Sequence, residues 1–473
     1  MDPSARSPRS TSPTSPTSPT RRTRRRATAA AAVAAAALLA GACSSGSSSD
    51  SASVSPQVNA GGGTGESGGW ADCPEPCSFE SDSRGEGGSG VETGSVESYD
   101  ETSGAGPATT ITATASGDGP VAPEARVQVT AGSVDDNDDW DEYLLYRQGF
   151  DALGLPVDRI PVEGRQVLTV TDGDGRPVLG AGVEVRDGSG AVVASLRTYA
   201  DGRALFHPPM GVDPSSQQRP RYTATVTKGA ASEEVELSAE TRSYDIRLDA
   251  TAEAAPVALD VVFLIDTTGS MGDEIDRLKA NITSMSEKIS ALPAAPEVRY
   301  GMTLYRDRGD LFETRTFDLT EDQGAFSAAL DEVQADGGGD TPEDLNAGLR
   351  DALDKQSWRG DDAVKLVFVV ADAPPHLDYA DSTSYARTVV DAAARGIKIL
   401  PIGASGLDPQ GEYVMRQLAQ VTLGRFVFLT YGVDGASPGD STPMSVERDQ
   451  YSVLPLDELV VQLVADELEP LRR

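Results

Sequence analysis

Three oxygen-bearing side chains lie at alternate positions in the segment Asp266-Thr-Thr-Gly-Ser270, directly after a run of apolar residues. In an extended loop, Asp266, Thr268 and Ser270 point the same way and offer one carboxylate and two hydroxyls. Hard oxygen ligands suit Mg²⁺ or Mn²⁺, and neutral hydroxyls leave the ion enough charge to attract a further carboxylate from outside. The alternative is that Thr268 or Ser270 only caps the helix that follows.

Two further acidic segments stand where the chain passes from one predicted element to the next. Asp372 follows an apolar run directly, and Gly337-Gly-Gly-Asp-Thr-Pro-Glu343 opens a helix. Open α/β sheets bind their ligands beyond the carboxyl ends of the strands, so we expect these acids to share a site with Asp266. Glu343 has an alternative role, because Asp340 and Glu343 around a proline also spell a capping box.

The pattern after residue 257 predicts a doubly wound α/β domain. Near-continuous apolar runs, which are typical of strands covered on both faces, alternate there with amphipathic helical segments. The predicted strands are Val257–Ile265, Val298–Tyr305, Val364–Ala371 and Ile397–Ile402. The predicted helices are Met271–Ile289, Pro342–Lys355, Ser382–Arg395, Gly411–Val421 and Leu456–Leu468.

Residues 257–473 resemble the von Willebrand factor A (VWA) domain, which has a Rossmann-like fold. The resemblance rests on the Phe-Leu-Ile-Asp-x-Thr-Gly-Ser-Met opening at 263–271, the Tyr305-Arg-Asp-x-Gly-Asp310 turn and the acidic segments above. It implies a metal-ion-dependent adhesion site that holds a divalent cation, Mg²⁺ by preference over Mn²⁺ or Ca²⁺. The tripeptide Arg308-Gly-Asp310 falls inside that turn and is interpreted as coincidental.

The resemblance also implies the ligands of the cation. Many members of the family use a Thr on the second loop, which is Thr341 here. The Asp-x-Pro-Glu order instead resembles integrin β-subunits, so Glu343 is the expected ligand, and Asp340 is a candidate for a neighbouring cation. The full expected set is Asp266, Thr268, Ser270, Glu343 and Asp372.

A second folded unit is predicted at residues 162–250, where seven short alternating segments are separated by Asp-Gly turns. This spacing predicts an antiparallel β-sandwich, and the segment resembles immunoglobulin-like domains of the carboxypeptidase regulatory type. The predicted strands are Val167–Val170, Val183–Arg186, Val192–Leu196, Ala204–Phe206, Tyr222–Val226, Val235–Leu237 and Ile246–Leu248.

The chain before these units resembles the export region of a bacterial lipoprotein. A basic stretch and the apolar run 27–40 precede Cys43, so residues 1–42 are the expected signal peptide and Cys43 the expected lipidated residue. Residues 43–124 are too rich in Ser and Gly to bury a core and are expected to be a disordered tether. Within it, Cys73 and Cys77 are expected to form a disulfide.

Residues 125–161 are expected to be an acidic and aromatic connecting segment that docks on the next domain. Their Asp-x-Asn-x-Asp spacing at 135–139 is that of a calcium loop, but Trp140 stands where an EF-hand requires Gly. Helix capping is the alternative.

Charge and motifs limit the function. The formal net charge of −34 argues against nucleic acid as a partner. The expected function is metal-dependent binding of a protein or matrix partner that presents a carboxylate, at the outer face of the cell membrane. The alternatives are an envelope assembly factor that uses the same site and, less favoured, a Mg-dependent phosphohydrolase. Such enzymes typically need a second acid where Thr268 stands, so the chain is expected not to be an enzyme.

Overall fold

The structure is a computed structural model that describes residues 129–209, 221–250, 257–339, 341–430, 445–446 and 451–472. The predicted signal peptide and tether, with Cys43, Cys73 and Cys77, lie outside the described residues, as does Asp340. Among the helices that the structure describes, none is long and apolar enough to cross a membrane.

The described chain begins with strand β1 (Thr130–Val134) and helix α1 (Trp140–Asp151). Tyr143, Arg147 and Phe150 lie at helical spacing on α1 and are buried, so one side of the helix packs against the rest of the molecule.

Seven strands then form two sheets around one apolar core. Their bounds are β2 (Gln166–Thr171), β3 (Gly182–Asp187), β4 (Val192–Arg197), β5 (Arg203–Phe206), β6 (Arg221–Lys228), β7 (Ala231–Ser238) and β8 (Ser243–Arg247). The sheets have the orders β5-β2-β8 and β4-β3-β6-β7. Alternate residues such as Leu168 and Val170 of β2 point into the core, as the period of a half-buried strand requires. One pairing differs from the expected antiparallel pattern. β8 returns beside β2 after the chain has crossed the other sheet, so β2 and β8 run parallel.

The remainder of the chain alternates strands and helices. Its strands are β9 (Ala258–Asp266), β10 (Glu297–Tyr305), β11 (Thr314–Thr320), β12 (Ala363–Ala371), β13 (Ile397–Gly403), β14 (Phe426–Thr430) and β15 (Leu454–Pro455). Its helices are α2 (Gly272–Ser290), α3 (Gln323–Asp331), α4 (Leu345–Asp354), α5 (Tyr385–Ala394), α6 (Pro409–Val421) and α7 (Leu456–Leu468).

These strands form one sheet of order β11-β10-β9-β12-β13-β14-β1-β15, covered by helices on both faces. β9, β10, β12, β13 and β14 are parallel, whereas β11 and β1 run antiparallel to their neighbours. Residues of β9 alternate between the two cores. Phe263 and Ile265 face α2 and α7, whereas Val262 and Leu264 face α4, α5 and α6.

The N-terminal segment belongs to this α/β unit, which differs from the expectation of a connecting segment that docks on the sandwich. β1 pairs with β14 along its whole length, and α1 packs on α6. The Phe150 ring stacks on Tyr413 at 4.1 Å, and Arg147 Nε donates to the Tyr413 hydroxyl at 3.2 Å. The sandwich is therefore inserted between α1 and β9 of a single α/β unit.

The sandwich contacts the α/β unit at the amino ends of the parallel strands. Arg197 pairs with Asp361 at 2.9 Å and Lys228 with Asp362 at 2.6 Å, just before β12 begins. Gly180 lies so close to the carbonyl of Asp361 that a Cβ atom would overlap it. The carboxyl ends of the strands are left free of the sandwich.

Candidate metal centre

The sheet brings three loops together at the carboxyl ends of its central strands. β9 ends at Asp266, which pairs in register with Tyr305 at the end of β10. On the other side of β9, Ile265 pairs with Val370 of β12, so Asp372 leaves the sheet close to Asp266. The two acids are both buried, at 0% and 8% exposure.

The first loop is ordered by its own hydrogen bonds. The Thr268 amide and hydroxyl both donate to Asp266 Oδ1, at 3.0 and 2.7 Å, and the Thr268 and Ser270 hydroxyl oxygens are 3.3 Å apart. Thr268 is buried, but Ser270 is exposed. The loop continues through a 3-10 turn into α2, and no side-chain hydrogen bond caps that turn. Thr268 thus orients Asp266 rather than capping a helix.

The second loop presents Glu343 to the same place. α4 begins at Leu345, and its N-cap is Asp344, whose carboxylate accepts from the Ala347 amide at 3.0 Å. Glu343 precedes the helix and does not cap it. Its own main chain pairs with the third loop, since its amide donates to the Pro374 carbonyl at 3.1 Å. Glu343 is 3% exposed, whereas the alternative ligand Thr341 is exposed.

A glycine-rich stretch lies across the first and second loops. The Gly269 amide donates to the Gly337 carbonyl at 3.0 Å, and the Gly338 amide donates to Asp310 at 2.9 Å. Gly338 has a positive φ of 66°, and a Cβ atom there would lie 2.9 Å from Glu343 Oε1. Only glycine fits this position without pressing on the candidate ligands. A contact between Asp310 and Gly338 was not expected from the sequence, although three consecutive glycines before a helix indicate close backbone approach.

Within the described part of the chain, one buried carboxylate oxygen from each of the three loops has no hydrogen-bond partner. These atoms are Asp266 Oδ2, Glu343 Oε2 and Asp372 Oδ1. Buried polar atoms are almost always paired, so three orphan oxygens from neighbouring loops fit a cation ligand set. In the described part of the chain, no group of three or more His, Cys, Asp or Glu side chains by itself forms a metal cage. The hydroxyls of Thr268 and Ser270, 3.3 Å apart, lie on the first loop beside Asp266.

The electrostatics of the site are those of acids without a counter-ion. Burial, followed by the charge of Asp372, raises the pKa of Asp266 to about 7. Burial, followed by the charges of Asp266 and three other acids, raises the pKa of Glu343 to about 8. Burial also raises the pKa of Asp372, against a hydrogen bond from Ser270 that lowers it. A divalent cation would favour the ionised form of all three.

A stack of polar rings borders the second and third loops. His376 is buried, and its ring stacks on Tyr379 at 3.9 Å. The guanidinium of Arg308 lies over the Tyr379 ring at 4.0 Å and pairs with Asp344 and Asp381. Arg308 and Asp310 thus serve contacts within the molecule, in agreement with a coincidental Arg-Gly-Asp tripeptide.

The fold is an α/β domain in which three loops bring acidic side chains together at the carboxyl ends of the central strands. Residues 260–398 match the family described as the von Willebrand factor A domain, and this chain contains such a domain there. The fold class expected for the C-terminal region is thereby confirmed.

Curated relatives are similar over parts of the chain. The alpha-protein kinase vwkA of Dictyostelium discoideum is 27% identical over 190 residues, which are 40% of this chain and 29% of that protein. The von Willebrand factor A domain-containing protein 7 of Homo sapiens is 34% identical over 120 residues, 25% of this chain and 12% of the relative. The chain thus spans less than a third of either relative.

Among solved structures, the proximal thread matrix protein 1 of the mussel byssus, with a zinc-occupied MIDAS motif, aligns at 14% identity. The alignment covers 46% of each chain with a TM-score of 0.31. An overlap this loose supports no conclusion about the site.

Proposed function

We propose that this protein binds a divalent cation at the carboxyl edge of its VWA domain and uses the cation to hold a carboxylate of a partner protein or matrix. The observation that carries the proposal is the set of three buried, unpaired carboxylate oxygens from three adjacent loops, Asp266 Oδ2, Glu343 Oε2 and Asp372 Oδ1. With the hydroxyls of Thr268 and Ser270, they make an oxygen-only set that suits a hard cation.

The exposure of the loop residues gives the cation an open side. Asp266 and Thr268 lie fully buried below the site, whereas Gly269 and Ser270 are exposed. A partner therefore has access from the Ser270 side, where its carboxylate would replace water on the cation. Mg²⁺ is the expected ion because it accepts few protein ligands and retains exchangeable waters, with Mn²⁺ and Ca²⁺ as competitors.

The setting that we propose is the outer face of a cell membrane. Its support is the order of segments in the sequence, in which a basic stretch and an apolar run precede Cys43. Lipid attachment at Cys43 would hold the folded unit on the tether of residues 43–124. We expect Cys43→Ser to abolish incorporation of a labelled fatty acid and to release the protein from membranes, and unchanged labelling would contradict the anchor.

We further propose that the inserted sandwich is an immunoglobulin-like module of the carboxypeptidase regulatory type that acts as a spacer. Its support is the pair of sheets around one core and their contact with the end of the α/β unit opposite the site. This placement holds the site edge away from the sandwich.

We propose no enzymatic activity for this chain. The first loop has Thr268 where a metal-dependent phosphohydrolase on such a sheet typically has a second acid. The alpha-protein kinase among its relatives is matched over only 29% of its length, so kinase activity is not carried over.

Calorimetric titration of the full chain with Mg²⁺, Mn²⁺ and Ca²⁺ tests the cation. We expect uptake of one ion, abolished by Asp266→Ala, strongly weakened by Glu343→Gln and little changed by Thr341→Ala. Asp174→Ala, on an exposed turn of the sandwich, is the matched control. Absence of binding at millimolar metal would rule out the site, and a larger loss with Thr341→Ala than with Glu343→Gln would reassign its second-loop ligand.

Capture of surface proteins with and without chelator tests the partner. A partner retained in Mg²⁺, released by chelator and not captured by Asp266→Ala supports the proposal. Capture that is equal in all three conditions contradicts it.

A further inference from the structure

The helices α1 and α6 enclose a groove of about 780 Å³ that none of the five candidate metal ligands lines. One wall carries Leu145 and Leu153, which are 60% and 57% exposed. The floor is aromatic, formed by Tyr146 and the buried ring of Phe150. An apolar trough with two exposed leucines on its wall has the shape that receives the apolar side of a peptide or helix.

The charged residues that line the groove are mostly acidic. Among the lining residues that the structure describes, the acids are Asp135, Asp136, Asp139, Glu142 and Glu412, and Arg416 is the only base. That guanidinium is already neutralised, because it contacts the Asp136 carboxylate at 2.6 and 3.0 Å and Glu412 at 3.1 Å. Asp139 and Glu142 are exposed at the mouth. The remaining charge of the described lining residues is therefore negative, and its complement is a cation next to apolar side chains.

We propose that the α1–α6 groove docks a cationic amphipathic segment of a partner protein, independently of the metal edge. The leucines and aromatic rings contact the apolar side of the segment, and Asp139 and Glu142 contact its Lys or Arg side chains. Charge complementarity decides against an acidic or purely apolar occupant, since either would leave these carboxylates facing no counter-charge.

A labelled synthetic peptide tests the groove in the full chain. The probe has Leu at helical spacing with Lys on the flanking positions, and its binding is followed by fluorescence polarisation in EDTA, which removes the metal edge from the measurement. We expect saturable binding that weakens as salt rises. A peptide with Glu in place of each Lys, and one with the same composition but no helical period, should not bind. Equal binding by either would overturn the proposal, as would no binding of the cationic probe.

Two pairs of variants locate the contact. Asp139→Asn with Glu142→Gln should weaken binding about fivefold to tenfold, since each exposed charge contact is worth only a fewfold in affinity. The matched control is Asp138→Asn with Asp141→Asn, which removes two exposed charges from the same helix start but outside the groove. An equal loss of peptide affinity in both double variants would indicate a general electrostatic attraction to the acidic surface rather than a docking site, and would overturn the proposal.

The apolar wall has its own control. Leu145→Asn should weaken binding about tenfold, because burial of a leucine is worth roughly that factor. Leu311→Asn changes a leucine that is 81% exposed elsewhere and should leave binding unchanged. A dimer of the chain that disappears in Leu145→Asn but not in Leu311→Asn would assign the groove to a second copy and overturn the proposal of a separate partner.

Discussion

Two acids on the same strand have opposite surroundings. Asp260, near the start of β9, and Asp266, at its end, are both fully buried. Asp260 receives hydrogen bonds from the guanidinium groups of Arg299, at 2.9 and 2.7 Å, and Arg359, at 2.8 Å. Among the described residues, no basic side chain acts on Asp266, and one of its oxygens has no hydrogen-bond partner.

The difference indicates that one buried acid of β9, Asp260, stabilises the fold, whereas the other, Asp266, is available for binding. Bringing a carboxylate out of water is costly, and the fold compensates for this cost at the amino end of β9 with two arginines. At the carboxyl end, no described side chain supplies such a counter-charge to Asp266. This difference supports the proposed cation at Asp266, whereas the pairing of Asp260 indicates a structural role.

The largest expected effect is at the paired acid. Asp260→Asn leaves two guanidinium groups without their carboxylate and should lower the free energy of unfolding by about 3–5 kcal/mol, with or without Mg²⁺. Urea denaturation in EDTA and in Mg²⁺ measures this. Asp276→Asn, at an exposed position of α2, is the control and should change stability by less than about 0.5 kcal/mol. A loss that appears only in Mg²⁺ would show that Asp260 is not purely structural.

Substitution of the unpaired acid, Asp266, should change the free energy of unfolding in opposite directions with and without Mg²⁺. In EDTA at about pH 8, Asp266→Asn removes a buried charge and should raise the free energy of unfolding by on the order of 2–4 kcal/mol. In Mg²⁺ the same variant should be less stable than the parent, because it no longer gains stability from binding. Melting curves of both proteins in both buffers give the comparison. Destabilisation in EDTA would mean that the ionised carboxylate is satisfied within the fold.

Stability of the metal-free protein should also depend on pH in a defined direction. The folded-state pKa values of Asp266 and Glu343, about 7 and about 8, lie above those of the unfolded chain. The folded chain thus holds protons that the unfolded chain has released, and stability falls as pH rises through these values. We expect a loss on the order of 2 kcal/mol between about pH 7 and about pH 9 in EDTA.

Mg²⁺ should counteract this fall of stability with rising pH, because the cation binds the deprotonated acids. The stabilisation by Mg²⁺ should therefore grow from about pH 6 to about pH 9. Denaturation series in EDTA and in Mg²⁺ at each pH measure it. A Mg²⁺ effect that is constant with pH would contradict a ligand set made of these acids.

The α/β fold could be predicted because its central strands are buried on both faces and leave an unbroken apolar signal. The predicted strand Val257–Ile265 lies within one residue of β9 at each end. The sequence did not predict β11, because it is an edge strand whose residues are mostly half-buried and show little alternation between buried and exposed positions. β1 was missed for another reason. Its partner, β14, is about 300 residues away in sequence, and no local pattern reports such a pairing.

The candidate site was predictable to a similar degree. The first and third loops follow strands that the sequence makes visible, so Asp266 and Asp372 were expected to meet. The role of Glu343 was left open between a ligand and a helix cap. It depends on where α4 begins, and helix starts shift by a few residues with the tertiary contacts, here those of Asp344. Asp310 and Gly338 contribute through the packing of loops against each other, and the only sequence signal of that packing is the run of glycines.

The smallest effect that we predict concerns this packing. Gly338→Ala places a Cβ atom 2.9 Å from Glu343 Oε1 and 3.1 Å from Thr268 Cβ, so it should displace both from the cation. It also adds strain at a positive φ, which by itself costs about 1 kcal/mol. Gly309→Ala is the matched control, because Gly309 has a φ of 95° and nothing within 4 Å of its Cβ position. We expect both variants to lose similar stability in EDTA, but only Gly338→Ala to lose Mg²⁺ affinity, by about tenfold. Equal affinities in calorimetric titration would show that the glycine loop shapes the backbone without contacting the ligand set, which would confine the metal centre to the three strand-end loops.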